Sequence, residues 1–197
     1  MNVPLVIALL IAAAIMMVLE MCGAPVVLQL PMKGDIKRES QFLAQFGQAV
    51  ATGITAWLMY AFEQTPLGAK KALVTVGTVF ASSVACFIVK RLCGRVRPNR
   101  ENAGKFLGPS LKHANWRESF PSSHSACAVT LAVCLAVLYP QAAAVFWTLG
   151  LITAILRYLM DAHWPSDVLA GIALGYVVGH AMMTAFKFGP LTSQVAL

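Results

Sequence analysis

Two histidines lie in otherwise apolar stretches of the sequence, each near side chains that could assist it. His124 directly follows Ser122 and Ser123, and His163 lies four residues before Asp167. In such a pair, one neutral imidazole can act as a nucleophile while the other, protonated, donates a proton to the leaving oxygen. The Asp167 carboxylate could hold the second ring nitrogen of His163 and stabilise its cationic form. We therefore predict that His163, His124 and Asp167 are catalytic residues.

Three cations accompany these residues along the chain. Lys90 and Arg97 are two helical turns apart if the helix persists, and Pro98 favours an extended backbone at Arg97. Together with Arg157 they provide ammonium and guanidinium groups suited to a phosphoryl group. Ser122 would begin a helix, where unpaired N–H groups and the helix dipole favour an anion. The predicted phosphate-binding residues are Lys90, Arg97, Ser122, Ser123 and Arg157.

The sequence contains no pattern typical of a bound metal or of another cofactor. Its carboxylates do not cluster as a magnesium or calcium site requires, and its five cysteines form no Cys-x-x-Cys pair. We interpret the cysteines as small apolar packing residues; they are Cys22, Cys86, Cys93, Cys127 and Cys134. The site is therefore expected to use fixed cations alone, without a metal or cofactor.

The composition indicates that this chemistry takes place in a membrane. Of the 197 residues, 58% are hydrophobic and 12% are charged, and the mean hydropathy is +0.71, values outside the usual range of soluble domains. Most of the net charge of +7 lies in two loops, which favours anionic lipid head groups over nucleic acid as the partner. The N-terminus lacks the basic region of a cleavable signal peptide, so we expect the first apolar segment to remain as a membrane helix.

Six apolar runs are long enough to cross about 30 Å of hydrocarbon, which requires about 20 helical residues. The predicted spans run from Pro4 to Met21, about Phe42 to Phe62, Ala72 to Val89, Pro121 to about Tyr139, Gln141 to about Asp161, and from a cap at Ser166 or Asp167 to Phe186. Between the first two, residues 33–39 fit a short amphipathic helix at the membrane interface. The last span carries Gly171, Gly175 and Gly179, a stripe suited to close helix contact. The predicted fold is a single all-α membrane domain, residues 1–197, with six transmembrane helices.

Six crossings would also bring the polar residues together. If the first helix runs from one membrane side, X, to the other, Y, then the end of the third, the start of the fourth, the end of the fifth and the start of the sixth all lie on Y. The residues placed on that face are Lys90, Arg97, His124, Arg157, His163 and Asp167. The basic segment from Cys93 to Phe120 is long for a loop, and it is either a solvated charged loop or part of an anion site. The active site is therefore expected at one membrane face.

Three motifs in this order resemble those of the type 2 phosphatidic acid phosphatase family of membrane lipid phosphatases. The first, a lysine followed after six residues by Arg-Pro, is present as Lys90 to Arg97-Pro98. The second, Pro-Ser-Gly-His, reads Pro-Ser-Ser-His at residues 121–124. The third, Ser-Arg, five residues, His, three residues and Asp, matches residues 156–167 with leucine in place of the serine. The two departures narrow the pocket and remove a hydroxyl, so we expect them to affect substrate fit more than the reaction.

The resemblance implies a metal-independent phosphatase that removes the terminal phosphate from a lipid phosphate or diphosphate. It implies that His163 is the nucleophile and forms a phosphohistidine, that Asp167 orients it, and that His124 protonates the leaving group and then activates water. The phosphate and its transition state would be held by Lys90, Arg97, Arg157, Ser122 and the amide of Ser123. Substrates in the family include phosphatidate, phosphatidylglycerophosphate, undecaprenyl diphosphate and phosphorylated lipid A, and the sequence does not choose among them.

Two other functions are compatible with the same residues. A phosphohistidine could pass its phosphate to a second lipid, which would make the protein a lipid phosphotransferase. A non-catalytic lipid-phosphate transporter is the other alternative, although the sequence has no obvious repeat or matched pair of broken helices typical of transporters. No feature of the sequence identifies a protein partner.

The distribution of charge and the family resemblance give opposite orientations. Twelve of the fifteen lysines and arginines lie on side Y, which the positive-inside rule places in the cytoplasm. Bacterial members of the family commonly have active sites that face the periplasm. On family grounds, we predict a multi-pass protein of the inner (plasma) membrane whose active site lies on the outward, periplasmic face.

Overall fold

The computed structural model describes residues 1–26, 28, 30, 32–160 and 163–188, and its regular structure is helical. The α-helices are α1 Val3–Met21, α2 Gly34–Leu43, α3 Ala49–Glu63, α4 Pro66–Cys93, α5 Ser123–Leu138, α6 Ala143–Leu159 and α7 Pro165–Ala185. Short 3₁₀ turns lie at Asn115–Arg117 and Pro140–Ala142. Within the described residues, extended backbone pairs only at an isolated bridge between Arg95 and Phe106. The predicted all-α class is confirmed.

Four helices are long and apolar enough to cross a membrane: α1, α4, α6 with its preceding turn, and α7. α5 is apolar but has only 16 residues, and α3 has 15. A perpendicular crossing requires about 20 helical residues. The described residues therefore contain four candidate spans, and the count of six stays a prediction.

The predicted second span, from Phe42 to Phe62, is wrong at its start. α2 ends at Leu43, residues 44–48 form a turn, and α3 begins at Ala49. Gly47 explains the turn, because its φ of 82° is left-handed. A Cβ at this glycine would lie 2.5 Å from the Cα of Ala128 in α5. The turn thus allows the backbone to approach α5 closely, and residues 34–39, predicted as part of an interfacial helix, belong to the separate helix α2.

α4 is longer than its predicted range, Ala72 to Val89, at both ends. The hydroxyl of Thr65 accepts a hydrogen bond from the Gly68 N–H at 3.1 Å, and a proline follows Thr65 in the first helical turn. This cap starts the helix at Pro66, before the predicted start at Ala72. Asp161, the predicted end of the fifth span, lies outside the described residues.

α5 lies at the centre of the bundle, with α4, α6 and α7 packed around it. Every residue from Ser125 to Leu135 is buried. A Cβ at Gly175 of α7 would lie 2.2 Å from the Ala126 carbonyl oxygen, and Thr130 Oγ1 donates to the Gly175 carbonyl at 3.1 Å. The predicted close contact through small residues is confirmed as the interface between α5 and α7.

Hydrogen bonds identify which helix ends meet. At one end of the bundle, Glu63 at the end of α3 accepts from Lys71 of α4 at 2.7 Å and from the hydroxyl of Tyr139 after α5 at 2.9 Å. At the opposite end, Glu20 of α1 accepts from the Ser166 N–H of α7 at 2.9 Å. Since consecutive long helices are antiparallel, that second end also carries the end of α4, the start of α5 and the end of α6.

Candidate active site

His163 and Asp167 lie at the junction of α6 and α7. Asp167, in the first turn of α7, accepts from the Trp164 N–H at 3.0 Å and so caps the helix. Both side chains are buried, and Nδ1 of His163 lies 3.6 Å from Oδ2 of Asp167. Among the described residues, Nδ1 has no hydrogen-bond partner at shorter range. The carboxylate therefore faces Nδ1, and Nε2 is the nitrogen left for chemistry.

Predicted cations surround both histidines. The charges of Lys90 and Arg97 act on His163, and those of Lys90, Arg97 and Arg157 act on His124. The five residues come from different parts of the chain: Lys90 from the last turn of α4, Arg97 from the segment after it, His124 from the first turn of α5, Arg157 from the last turn of α6 and His163 from the junction before α7. The structure therefore brings them within electrostatic range of one another at one end of the bundle.

Backbone carbonyls between α4 and α5 orient two of these cations. Lys90 Nζ donates to the Glu118 carbonyl at 2.5 Å, and Arg97 Nε donates to the Asn115 carbonyl at 2.8 Å. Arg157 differs, because its Nε is buried and has no hydrogen-bond partner within the described part of the chain. This guanidinium therefore has a buried donor to offer an anion.

Two serines at the start of α5 make different contacts. Ser122 is buried and caps the helix, accepting from the N–H and the hydroxyl of Ser125 at 3.4 and 2.9 Å. Its own N–H donates to the Asp167 carbonyl at 3.0 Å. The Ser122 amide is thus engaged inside the protein, whereas the Ser123 amide begins the helix, where N–H groups lack intrahelical partners. The Ser123 hydroxyl lies beside the Cys86 thiol of α4.

Sequence reasoning missed the residues that surround the Asp167 carboxylate. Arg95 donates to Oδ1 at 2.6 Å, and the Ser119 hydroxyl donates to Oδ2. Ser166 and Glu20 belong to the same group, because their side chains accept hydrogen bonds from Arg95. Two signals were available in the sequence: Glu20 is the lone acid in the first apolar run, and Arg95 lies inside the first motif.

Burial controls the protonation of His163. Burial lowers the pKa of His163 from 6.5 to about 3, although the adjacent Asp167 favours the charged ring. The imidazole is therefore neutral near pH 7, as a nucleophile requires.

Glu118 shows the opposite balance: burial alone would raise its pKa, but hydrogen bonds from the Ala114 N–H and from His113 lower it. A carboxylate therefore remains ionised beside the basic segment.

The metal and cysteine predictions have different outcomes. Within the described residues, no group of three or more His, Cys, Asp or Glu side chains could hold a metal ion, and the absence of a cofactor stays a prediction. All five cysteines are free. Cys86, Cys127 and Cys134 are buried and Cys93 is half-buried, in agreement with a packing role. Cys22 is exposed after α1, so the packing interpretation is wrong for this residue.

Known proteins with similar sequences have names that describe one kind of chemistry. Residues 71–189, which include all the predicted site residues, match the family model described as PAP2 superfamily. The chain is 34% identical over 113 residues to a lipid A 1-phosphatase of Rhizobium johnstonii, covering 56% of this chain and 45% of the relative. It is 29% identical over 156 residues to an undecaprenyl-diphosphatase of Sulfolobus acidocaldarius, and the match covers 76% of this chain and 70% of the relative. The chain spans about half the length of the lipid A 1-phosphatases of Rhizobium that it matches.

A solved structure has the same fold. The crystal structure of a transmembrane PAP2 type phosphatidylglycerolphosphate phosphatase from Bacillus subtilis superposes with a TM-score of 0.57, covering 92% of this chain and 96% of that one. The two sequences are 18% identical, so the likeness extends to the arrangement of helices. The end of the bundle where the site residues converge is thus part of a fold found in a transmembrane protein.

Proposed function

The chain belongs to the PAP2 superfamily, and on that premise we propose that it is a membrane-embedded phosphatase that removes the terminal phosphate from a lipid. The family predicted from the three motifs is thereby confirmed. Relatives are named as a lipid A 1-phosphatase and an undecaprenyl-diphosphatase, which are phosphate hydrolases acting on lipids. The proposal assigns the same class of reaction to this chain.

One observation carries the proposal: a buried, neutral imidazole has a carboxylate on one side and cations around it. His163 Nδ1 faces Asp167 at 3.6 Å, and the charges of Lys90 and Arg97 act on the same ring. A nucleophile, its orienting group and the charges that would stabilise a phosphoryl group are therefore present together. This arrangement favours catalysis over passive transport, which needs no buried nucleophile.

In the proposed reaction, Nε2 of His163 attacks phosphorus, so that an N–P bond forms while the bond to the leaving oxygen breaks. His124 donates a proton to that oxygen. A water molecule deprotonated by His124 then attacks the phosphohistidine, which releases inorganic phosphate and restores neutral His163. Lys90, Arg97 and Arg157 offset the negative charge of the phosphoryl oxygens in both steps.

The proposed substrate is a lipid with a terminal phosphate or diphosphate. The names of the relatives favour a lipid A phosphate or undecaprenyl diphosphate, and phosphatidate and phosphatidylglycerophosphate belong to the same chemical class. We propose further that α3 and α5, although short, complete six crossings of the plasma membrane, with the site facing outward. A site at the helix ends would admit a head group while the lipid chains stay between the helices.

The test is phosphate release from these lipids by the detergent-purified protein in the presence of EDTA. His163→Ala is the inactive variant, and His113→Ala is its matched control, since His113 lies in an exposed position at the same end of the molecule. We expect release by the wild type and the control, and a loss of about 10³-fold or more in His163→Ala. Near-normal activity of folded His163→Ala would overturn the mechanism. Appearance of the phosphate on an added acceptor lipid would instead identify a phosphotransferase.

A further inference from the structure

A buried ionic cluster lies directly behind the proposed nucleophile. It joins the end of α1, the segment after α4, the segment before α5 and the first turn of α7, and we name it the Arg95 cluster. Its members are Glu20, Arg95, Ser119, Ser166 and Asp167. The side chains of Arg95 and Asp167 are 0% exposed and that of Glu20 is 1% exposed. Charged side chains are almost never this buried unless they are paired.

The guanidinium of Arg95 connects the two carboxylates of the cluster. NH1 donates to Oδ1 of Asp167 and to Oγ of Ser166, both at 2.6 Å, and NH2 donates to Oε2 of Glu20 at 2.7 Å. The rings of Phe106 and Trp164 lie 5.2 and 5.3 Å from the guanidinium carbon, within range of cation–π attraction. Arginine cannot lose its proton in a protein, so the cluster holds a permanent cation in a fixed orientation.

The contacts of Arg95 determine which oxygen of Asp167 serves the nucleophile. Oδ1 binds the guanidinium, whereas Oδ2 accepts from the Trp164 N–H and the Ser119 hydroxyl and faces His163 Nδ1. A carboxylate held through both oxygens cannot rotate away from the imidazole. Arg95 therefore fixes the geometry on which the orientation of His163 depends.

Glu20 is held as firmly as Arg95. Its Oε1 accepts from the Ser166 N–H at 2.9 Å and its Oε2 accepts from the Ser166 hydroxyl at 2.5 Å, in addition to the bond from Arg95. An acid in the last turn of a helix opposes the helix dipole, and a buried ion pair gives little net stability. Stability alone therefore gives no strong reason for a carboxylate at this position of an apolar helix.

The negative charge of Glu20 explains why a carboxylate is present at this position. With one cation and two carboxylates, the cluster has one negative charge in excess. His163 is neutral before attack and becomes cationic when its Nε2 bonds to phosphorus while Nδ1 keeps its proton. Without Glu20, the guanidinium of Arg95 would cancel the charge of Asp167, and the cluster would attract the cationic ring less. Glu20 thus favours the phosphorylated state and the transition state leading to it, not substrate binding.

We infer that Glu20 and Arg95 are positioning residues that fix Asp167 and preserve its negative charge for the phosphorylation of His163. The inference rests on the proposed phosphatase function. It adds two residues, one from α1 and one from inside the first motif, to the machinery that acts through His163.

The experiment compares Glu20→Gln and Arg95→Lys with Glu63→Gln as the matched control. Glu20→Gln removes the charge and nearly keeps the shape; Arg95→Lys keeps the charge and loses the fork that bridges two carboxylates. Glu63 is also an ion-paired acid at the end of a helix, but it lies at the opposite end of the bundle. The first measurements are kcat and KM for the lipid phosphate that the wild type hydrolyses fastest. The second is the single-turnover rate of His163 phosphorylation, because this rate does not depend on the fraction of active enzyme.

We expect kcat and the single-turnover rate to fall about 10- to 100-fold in both cluster variants, with KM within about twofold of the wild type. The control should keep wild-type values. A wild-type single-turnover rate in Glu20→Gln would overturn the inference; if that variant does not fold, Arg95→Lys decides by the same criterion. The proposed function is judged separately, because it fails only if the wild type releases no phosphate or if His163→Ala remains active.

Discussion

His163 is subject to two influences that oppose each other. Burial disfavours the charged ring, while Asp167 at 3.6 Å favours it. The first influence dominates in the resting protein and leaves the neutral imidazole that can attack phosphorus. The second becomes important after attack, when the ring carries a positive charge. In the proposed mechanism, the same pair of residues therefore serves both the nucleophile and its phosphorylated product.

The lowered pKa of His163 predicts a specific dependence of stability on pH. The unfolded ring takes up a proton below its ordinary pKa of 6.5, whereas the folded ring does so only below about 3. Between these values, acid favours the unfolded state, so the contribution of His163 to stability is present above pH 6.5 and falls by up to about 1.4 kcal/mol per pH unit below it. His163→Gln should show a shallower loss of unfolding temperature between pH 7.5 and 4.5. Parallel curves for the two proteins would contradict the lowered pKa.

Ser123 offers a second prediction at a single residue. Its hydroxyl lies beside the Cys86 thiol, and only its backbone N–H is proposed to bind phosphate. Ser123→Gly keeps that N–H and widens the pocket, so we expect kcat within about twofold and a KM that changes by up to about tenfold with head-group size. Kinetics on two lipid phosphates with small and large head groups measure both. A large fall in kcat at constant KM would show that the hydroxyl acts in the transition state.

At the scale of helices, the contact between α5 and α7 fixes the site. His124 and Asp167 lie in the first turns of these two helices, and the Ser122 N–H joins them through the Asp167 carbonyl. Below this junction, the backbone of α5 lies against glycines of α7. Any change that separates the two helices should therefore also displace His124, the proposed acid, from His163, the proposed nucleophile.

Gly175→Ala tests this coupling. Its Cβ would lie 2.2 Å from the Ala126 carbonyl oxygen, so the helices must move apart; we expect a loss of about 1–3 kcal/mol in unfolding free energy and a lower kcat. Gly77→Ala is the matched control, since none of the described residues lies within 4 Å of a Cβ there and alanine is favoured over glycine in a helix by about 1 kcal/mol. Thermal unfolding and phosphate release in detergent measure both effects. Equal stability of the two variants would show that α5 and α7 are not tightly packed.

Local signals in the sequence predict some of these elements and miss others. Long apolar runs predicted α1, α4, α6 and α7, because length and hydropathy are properties of the segment itself. The break at Gly47 was missed, since it depends on the approach of α5, more than 70 residues away in the sequence. The Arg95 cluster was missed for the same reason. Glu20 and Arg95 meet only after α1 packs on α7. The predicted site residues, in contrast, lie within three short motifs, which can be recognised in the sequence alone.

At the scale of the whole molecule, positive charge is concentrated at the end that carries the site. The proposed phosphate binding would account for Lys90, Arg97 and Arg157, and Arg95 is neutralised within its cluster. Arg100 and Lys112 are exposed at the same end and are not among the predicted phosphate-binding residues. The positive-inside rule counts all of these residues alike, so the part of its signal that comes from the site says little about orientation.

Accessibility of introduced cysteines tests the outward orientation. In a Cys22→Ser background, which removes the exposed native thiol, we expect Arg100→Cys and Lys112→Cys to react with a membrane-impermeant thiol reagent in intact cells. Lys70→Cys, at the opposite end of the bundle, should react only after the membrane is permeabilised. The opposite pattern would place the site in the cytoplasm, as the positive-inside rule predicts. In that case, the substrate would have to be a lipid phosphate of the inner leaflet, and lipids whose phosphates face outward would be excluded.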